Sequence, residues 1–301
     1  MNARNLNKKS WIAGLALAGF VIMGATAFAD TPRPLKVVAW NIEWFPGVKM
    51  YPTPKQEAEH MKAAQKALRE IDPDIFIGQE IRDWKSFDEL VSAVPGLKTH
   101  VVSSFLLSTT REIGRQQIGI ASKLSCQHAW AEAFEATVPR TSRGFAFTAL
   151  DDPHGRGLIL VYGVHLKSNV GGTSDAMARI NGSVRNDQAR QILSHMADMA
   201  MAFGDRPIRG WLIGGDINTN HDNQFPYCRV VDMVETMGFL NTWRGVPRAE
   251  RLTWRSDTDS VFEPTTLDYI FLRGFGQRVR ASIIEVPRPL SDHYPIMVEL
   301  P

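Results

Sequence analysis

The stretch GFAFTALDDPHGRGLILVYGV, Gly144 to Val164, decides the fold class. Its two ends are apolar runs rich in Phe, Leu, Ile and Val, while the middle, Asp151 to Gly157, concentrates Asp, Pro and Gly. Short apolar runs bounded by turn formers read as the two strands of a hairpin. A hairpin joins antiparallel neighbours, so a single doubly wound parallel sheet is the weaker reading.

Working outward, similar runs recur at Leu35 to Trp40, Asp74 to Gly78, His100 to Ser104, Gln117 to Ser122, Trp211 to Gly214, Leu267 to Leu272, Val279 to Val286 and Pro295 to Leu300. Helical patterns lie at Lys55 to Ile71, Lys85 to Val94, Asn186 to Phe203 and Tyr227 to Met237. In the first, Ala58, Met61, Ala64, Ala67, Leu68 and Ile71 follow helical spacing, and Pro54 suits the first turn. About ten strands against four helices, neither strictly alternating nor all strand, predicts an α/β protein whose mixed sheets are faced by helices.

The chain has 301 residues, 44% hydrophobic and 22% charged, which excludes a coiled coil, a collagen-like fibre and a disordered protein. Arg4, Lys8 and Lys9 precede an apolar run from Trp11 to Met23, and Ala27-Phe28-Ala29 has the small-x-small pattern of a cleavage site. These features predict a signal peptide over residues 1–29 and a single mature domain over 30–301, secreted or periplasmic. The apolar run falls short of the ~20 residues a spanning helix needs, so no membrane anchor is expected after cleavage. Cleavage removes three basic and no acidic residues, taking the formal net charge from +2 to −1. Attraction for nucleic acid would then have to come from a local patch. An oxidising compartment permits a disulfide between Cys126 and Cys228, but the sequence leaves open whether they come close enough.

Polar groups follow or open the strands. Asn41, Glu80 and His165 close apolar runs, Asp216 is followed closely by Asn218, Asp268 opens a run, and Asp292-His293 precedes the last one. In α/β sheets such groups converge on one crevice. Glu80, Asp292 and Asn41 are hard oxygen donors suited to Mg2+ or Mn2+. No Cys-rich or HExxH set suggests zinc. Asp216, held by Asn218, suits a group that orients or deprotonates water, with His165 and His293 as donors to phosphoryl oxygens. Any one of these residues alone is an ordinary turn former or surface group. Their joint occurrence is what implies a phosphodiester-hydrolysing site.

The motifs WNIEWF (Trp40 to Phe45), IGQE (Ile77 to Glu80), GVHLKS (Gly163 to Ser168), IGGDIN (Ile213 to Asn218), LDYIF (Leu267 to Phe271) and SDHYP (Ser291 to Pro295) resemble, in order and spacing, the DNase I-like endonuclease/exonuclease/phosphatase superfamily. The resemblance spans Leu35 to Leu300. It implies a four-layered α/β sandwich, with two packed mixed β-sheets flanked by helices, and divalent-metal phosphoester hydrolysis. It further implies that Glu80 binds the metal with Asn41 and Asp292 beside it, and that Asp216 and Asn218 position the water. Asp268 would pair with His293, and His165 would be the second catalytic histidine. Arg143 resembles a phosphate-contacting arginine of DNase I-type members, and Lys167 is a second expected substrate contact. Two features depart from the nuclease members: Thr109 to Gln116 contains no tyrosine, and Gln116 or Gln117 stands where a glutamate supports the first histidine.

The expected substrate is nucleic acid, DNA or RNA, cleaved by a secreted, Mg2+-dependent, monomeric nuclease. Arg179, Arg185 and Arg190, with Arg111 and Arg115, could form a local phosphate-contacting surface. The alternative is a sphingomyelinase-like or inositol-phosphate phosphoesterase. Thr265 to Leu272 lacks the PxWCDRxL segment of the inositol phosphatases, and membrane contact would need an exposed aromatic among Trp84, Trp130, Trp243 and Trp254. A catalytically dead binding module on this fold is disfavoured by the intact motif set.

Overall fold

Strand β1 (Leu35–Phe45) is apolar on both faces: Val37 and Ala39 turn to one side, Val38 and Trp40 to the other, and all four are fully buried. Such a strand must be covered twice. The Val38 side lies under α1 (Pro54–Ile71) and α2 (Trp84–Val91), through Met61, Ala64 and Leu68 of the first and Phe87 and Leu90 of the second. The Val37 side faces a second sheet. The computed structural model describes residues 33–107, 109–135, 141–169, 174–255 and 262–301; the expected signal segment, 1–29, lies outside the described residues.

The first sheet runs β11 (Ser282–Ile283), β12 (Ile296–Leu300), β1, β2 (Ile75–Ile81), β4 (Gln117–Ser122), β3 (Lys98–Val102). The second runs β5 (Cys126–Ala133), β6 (Gly144–Asp151), β7 (Leu158–His165), β8 (Ile208–Asp216), β10 (Asp268–Arg273), β9 (Leu240–Asn241). Each contains one parallel pair, β1/β2 and β7/β8, crossed over by α1 and by α3 (Asp175–Ala202) respectively. The other pairs are antiparallel, including the β6/β7 hairpin in which Phe145 faces Val164. Helices α3 and α4 (Val230–Thr236) cover the outer face of the second sheet with Ala189, Ile192, Met196, Val230 and Val234. Between the sheets the backbones approach closely, since a Cβ on Gly214 would lie 2.7 Å from Ile77. The layers are therefore helix, sheet, sheet, helix, the four-layered α/β sandwich expected.

Local chemistry explains the element ends. The Thr53 hydroxyl accepts from Gln56 N while the Gln56 side chain accepts from Thr53 N, a reciprocal cap that starts α1 just before Pro54. Other elements differ from expectation. Strand β5, CQHAWAEA, was not foreseen; it is a largely exposed edge strand and carries no apolar run. Helix α3 begins at Asp175 rather than Asn186, because Ser174 caps it and its first turns face a crevice, which breaks the apolar period. The run Val279 to Val286 pairs only at Ser282–Ile283. Cys126 and Cys228 are both free.

Candidate active site

The carboxyl ends of the two parallel pairs meet: Asn41, at the end of the regular part of β1, donates from Nδ2 to Asp216 Oδ2 of β8 at 3.2 Å and to Glu80 Oε1 of β2 at 3.3 Å. Glu80 sits at φ 61, where the β2 register shifts between Gln79 and Ile81. An irregularity of this kind re-aims a side chain that strict alternation would direct elsewhere, and it is retained where surrounding structure over-determines it. The other carboxylate oxygen, Oε2, accepts from Trp44 N at 2.9 Å.

Asp216 closes β8 after Gly215, which has φ 135 and leaves a Cβ only 2.1 Å from Val164 O, so no other residue fits. Its Oδ1 accepts from Asn218 N at 2.9 Å, while Oδ2 lies 3.4 Å from His165 Nε2 and 3.9 Å from His293 Nε2. Burial pushes the Asp216 carboxyl up to about 7; His293 opposes the shift, while Asp268 and Glu80 reinforce it. Asn218 donates from Nδ2 to Leu166 O and is itself held by Asn169, which fixes the turn after β8.

Their surroundings push the two histidines in opposite directions. His293 Nδ1 donates to Asp268 Oδ2 at 2.8 Å. Burial works against its charge, but Asp268, Asp292 and Asp216 outweigh it and raise its proton affinity well above the ordinary value. His165 is also buried, and burial together with the positive Arg143 and His293 lowers its affinity well below that value. His165 turns Nε2 toward Asp216 Oδ2 at 3.4 Å and Glu80 Oε1 at 3.9 Å.

Asp292 Oδ2 accepts from Trp254 Nε1 at 3.0 Å, and Arg143 is buried with Nη2 donating to Gln116 Oε1 at 3.1 Å. Gln116 thus holds the arginine and not the first histidine, whose Nδ1 has no partner. Arg143 Nη1 likewise has none among the described residues, and Arg143 is one of the residues that line the crevice. That crevice, about 760 Å³, also takes in Glu80, Asp216, Asp292 and both histidines, with Trp44, Trp254 and Phe225 as apolar wall. Asn41 and Asp268 lie buried beneath it. Lys167 is not among the lining side chains; its ammonium donates to Ser168 O at 2.7 Å.

Asp216, Asp268 and His293 place one ligand atom each within 4.8 Å of one another. Within this trio His293 Nδ1 donates to Asp268 Oδ2, so the imidazole and that carboxylate are each other's partners. Glu80 and Asp292 supply carboxylate oxygens to the crevice, while Asn41 turns Nδ2 to Glu80 and its Oδ1 accepts from Glu43 N at 3.2 Å. Carboxylates crowd there: burial, Asp292 and Glu80 push Glu43 up to about 7 despite Arg288 at 3.1 Å. Unbalanced negative charge beside oxygen donors fits a hard divalent cation.

One member of the expected basic surface, Arg185, needs correction. Arg185 is 1% exposed and donates to Lys167 O and Asn169 Oδ1, so it supports the loop after β7 and is no part of a solvated face. Arg179 pairs with Asp175, Arg190 with Asp187, and Arg115 donates to Met50 O. The signal for this role was available in sequence: Arg185 and Gln188 stand three apart on one helix face, and Gln188 Oε1 accepts from Lys167 N. Trp254 was foreseen only as one of four candidate tryptophans; of the other three, Trp243 is buried, Trp130 packs on Phe147 and Trp84 is half exposed.

Among solved structures, the beta toxin of Staphylococcus aureus superposes with a TM-score of 0.64 at 19% identity, covering 88% of this chain and 99% of that one. The human nocturnin catalytic domain, with bound sulfate, gives 0.62 at 16%, covering 89% and 93%. TDP2 from Caenorhabditis elegans gives 0.60 at 18%, covering 93% and 82%. At these identities the likeness establishes the fold. Curated protein sequences return no match. The sequence profile of the Endonuclease/Exonuclease/phosphatase family matches residues 38–293. The chain belongs to the endonuclease/exonuclease/phosphatase family, whose members hydrolyse phosphate esters.

Proposed function

We propose that this chain, exported after loss of residues 1–29, is a Mg2+- or Mn2+-dependent phosphodiesterase that cleaves DNA or RNA by attack of water. The observation that carries this reading is the gathering of both histidines around one carboxylate in a single crevice: His165 Nε2 and His293 Nε2 lie 3.4 and 3.9 Å from Asp216 Oδ2, with Glu80 and Asp292 on the same wall. Glu80 and Asp292, with Asn41 beside them, would hold the metal. Bound there, the cation neutralises charge on phosphoryl oxygens.

The chain's own groups supply the remaining steps. Asp216, with its raised proton affinity, accepts a proton from the attacking water, and Asn218 N holds the other carboxylate oxygen. His293 and His165 donate to non-bridging oxygens, and the free Nη1 of Arg143 offers a further donor. The aromatic wall of Trp44, Trp254 and Phe225 suits the bases of a nucleic acid, because every base has a face to stack. One observation favours a second reading, a phospholipid headgroup: Tyr51 and Ile113, 76% and 57% exposed, lie on loops joined through Arg115.

The test is a panel of plasmid DNA, RNA, sphingomyelin vesicles and inositol phosphates, each with Mg2+ or EDTA. Cleavage of DNA or RNA that stops with EDTA and returns with Mg2+ is expected. Activity after complete chelation contradicts the metal assignment, and headgroup release without nucleic-acid cleavage contradicts the substrate.

A further inference from the structure

One side of the crevice is lined by α3 and residues 224–228, of which the reading above uses only the Phe225 ring. Ala178, Asn181 and Arg185 share one face of α3 and line it. Asn181 is 2% exposed, and its Oδ1 has no hydrogen-bond partner among the described residues. A buried carbonyl oxygen without a donor is unfavourable in the free protein, and a ligand N–H placed there offsets that cost.

The opposite wall is clamped to the helix. Asn186 Nδ2 donates to Tyr227 O at 3.0 Å and Asn186 Oδ1 accepts from Arg229 N at 2.6 Å. Arg185 Nε donates to Cys228 Sγ at 3.4 Å, and the Arg179 guanidinium covers the Tyr227 ring at 4.1 Å. A Cβ on Gly182 would stand 2.8 Å from Tyr227 O, so the two backbones are in contact. These contacts hold the half-buried Phe225 in place on the crevice wall, with the Arg185 guanidinium 5.6 Å from its ring centroid.

We infer that this side is a nucleobase subsite, in which a base next to the scissile phosphate stacks on Phe225 and donates an N–H to Asn181 Oδ1. The inference rests on the nucleic-acid reading of the crevice. Each base combines a planar face with an N–H on its pairing edge, the two features this side answers. A quaternary ammonium headgroup has no N–H to give Asn181 and would meet the positive Arg185.

Dinucleotides with a single phosphodiester test it, with either base retained or replaced by an abasic sugar. In the native protein kcat/KM should drop roughly tenfold when one particular base is removed. The ratio of intact to abasic rates should collapse toward one in Phe225→Leu and fall several-fold in Asn181→Leu. Should Asn181→Leu fail to fold, Phe225→Leu, at a half-buried position, decides the matter alone. Dinucleotides cleaved equally with and without bases, or a ratio that survives in the variants, overturn the subsite and leave the nuclease reading standing. Choline phosphate released from sphingomyelin vesicles, with no nucleic acid cleaved, overturns that reading and the subsite with it.

Discussion

Replacing Asp268 with Asn removes the charge that keeps His293 protonated while preserving the shape of the side chain. Both groups are buried, and the Nδ1 to Oδ2 distance is 2.8 Å. With charge centres about 4 Å apart and an effective dielectric of ~20, such a pair gains about 4 kcal/mol. That is a factor of about 10³ in the ratio of imidazolium to imidazole. Asp216 and Asp292, each 3.9 Å from His293 Nε2, still favour the charge, but burial opposes it and the balance moves toward the neutral ring. In Asp268→Asn, kcat/KM at pH 7 should therefore fall about 10²- to 10³-fold, and the alkaline limb of the pH profile should move to lower pH. Stability gives a second readout. The folded proton affinity of His293 exceeds its unfolded value near 6.5, so the pair stabilises fully below that pH and its contribution is lost as pH rises through the folded value. The native melting temperature should decline over that window and the variant's should decline less. A folded variant within tenfold of native activity, with an unshifted profile, refutes the reasoning.

Asp216→Asn should lower turnover at least ~10²-fold with little change in melting temperature, whereas His293→Ala should lower turnover as far and also lower the melting temperature, because it leaves Asp268 buried without its partner, as read by steady-state kinetics and thermal unfolding. Gly215→Ala forces a side chain into the left-handed region and against Val164 O, and should destabilise by about 3 kcal/mol or more in urea titration. Phe87→Ala empties a fully buried ring site beneath Gly78 and Gly119, costing about 3–5 kcal/mol, while the folded fraction keeps its specific activity because the ring lies outside the crevice.

The architecture was legible because both faces of the central strands are buried. Runs such as Val37 to Trp40 and Leu158 to Val164 are continuously apolar, and the turn residues between Leu150 and Leu158 mark the hairpin. Strand β5 was invisible for the complementary reason: an edge strand half in water has no obligation to be apolar. The early turns of α3 were hidden because Asn181, Gly182 and Arg185 serve the crevice and the 225–229 segment, and these residues erase the helical apolar period.

Local sequence alone determined which chemical groups end the strands, since backbone pattern and motif place Asn41, Glu80, His165, Asp216 and His293 without any knowledge of packing. The motif resemblance implied the Asp268–His293 pair, but proton affinities and the other partnerships were decided by tertiary structure. Asp268 and His293 meet across 25 residues of chain, and Asn41 and Asp216 across 175. Nothing in their spacing says that His293 will be charged and His165 neutral, or that Arg185 will be buried instead of facing solvent. Those outcomes depend on desolvation and on the sum of neighbouring charges, and both exist only once the two sheets have closed on each other.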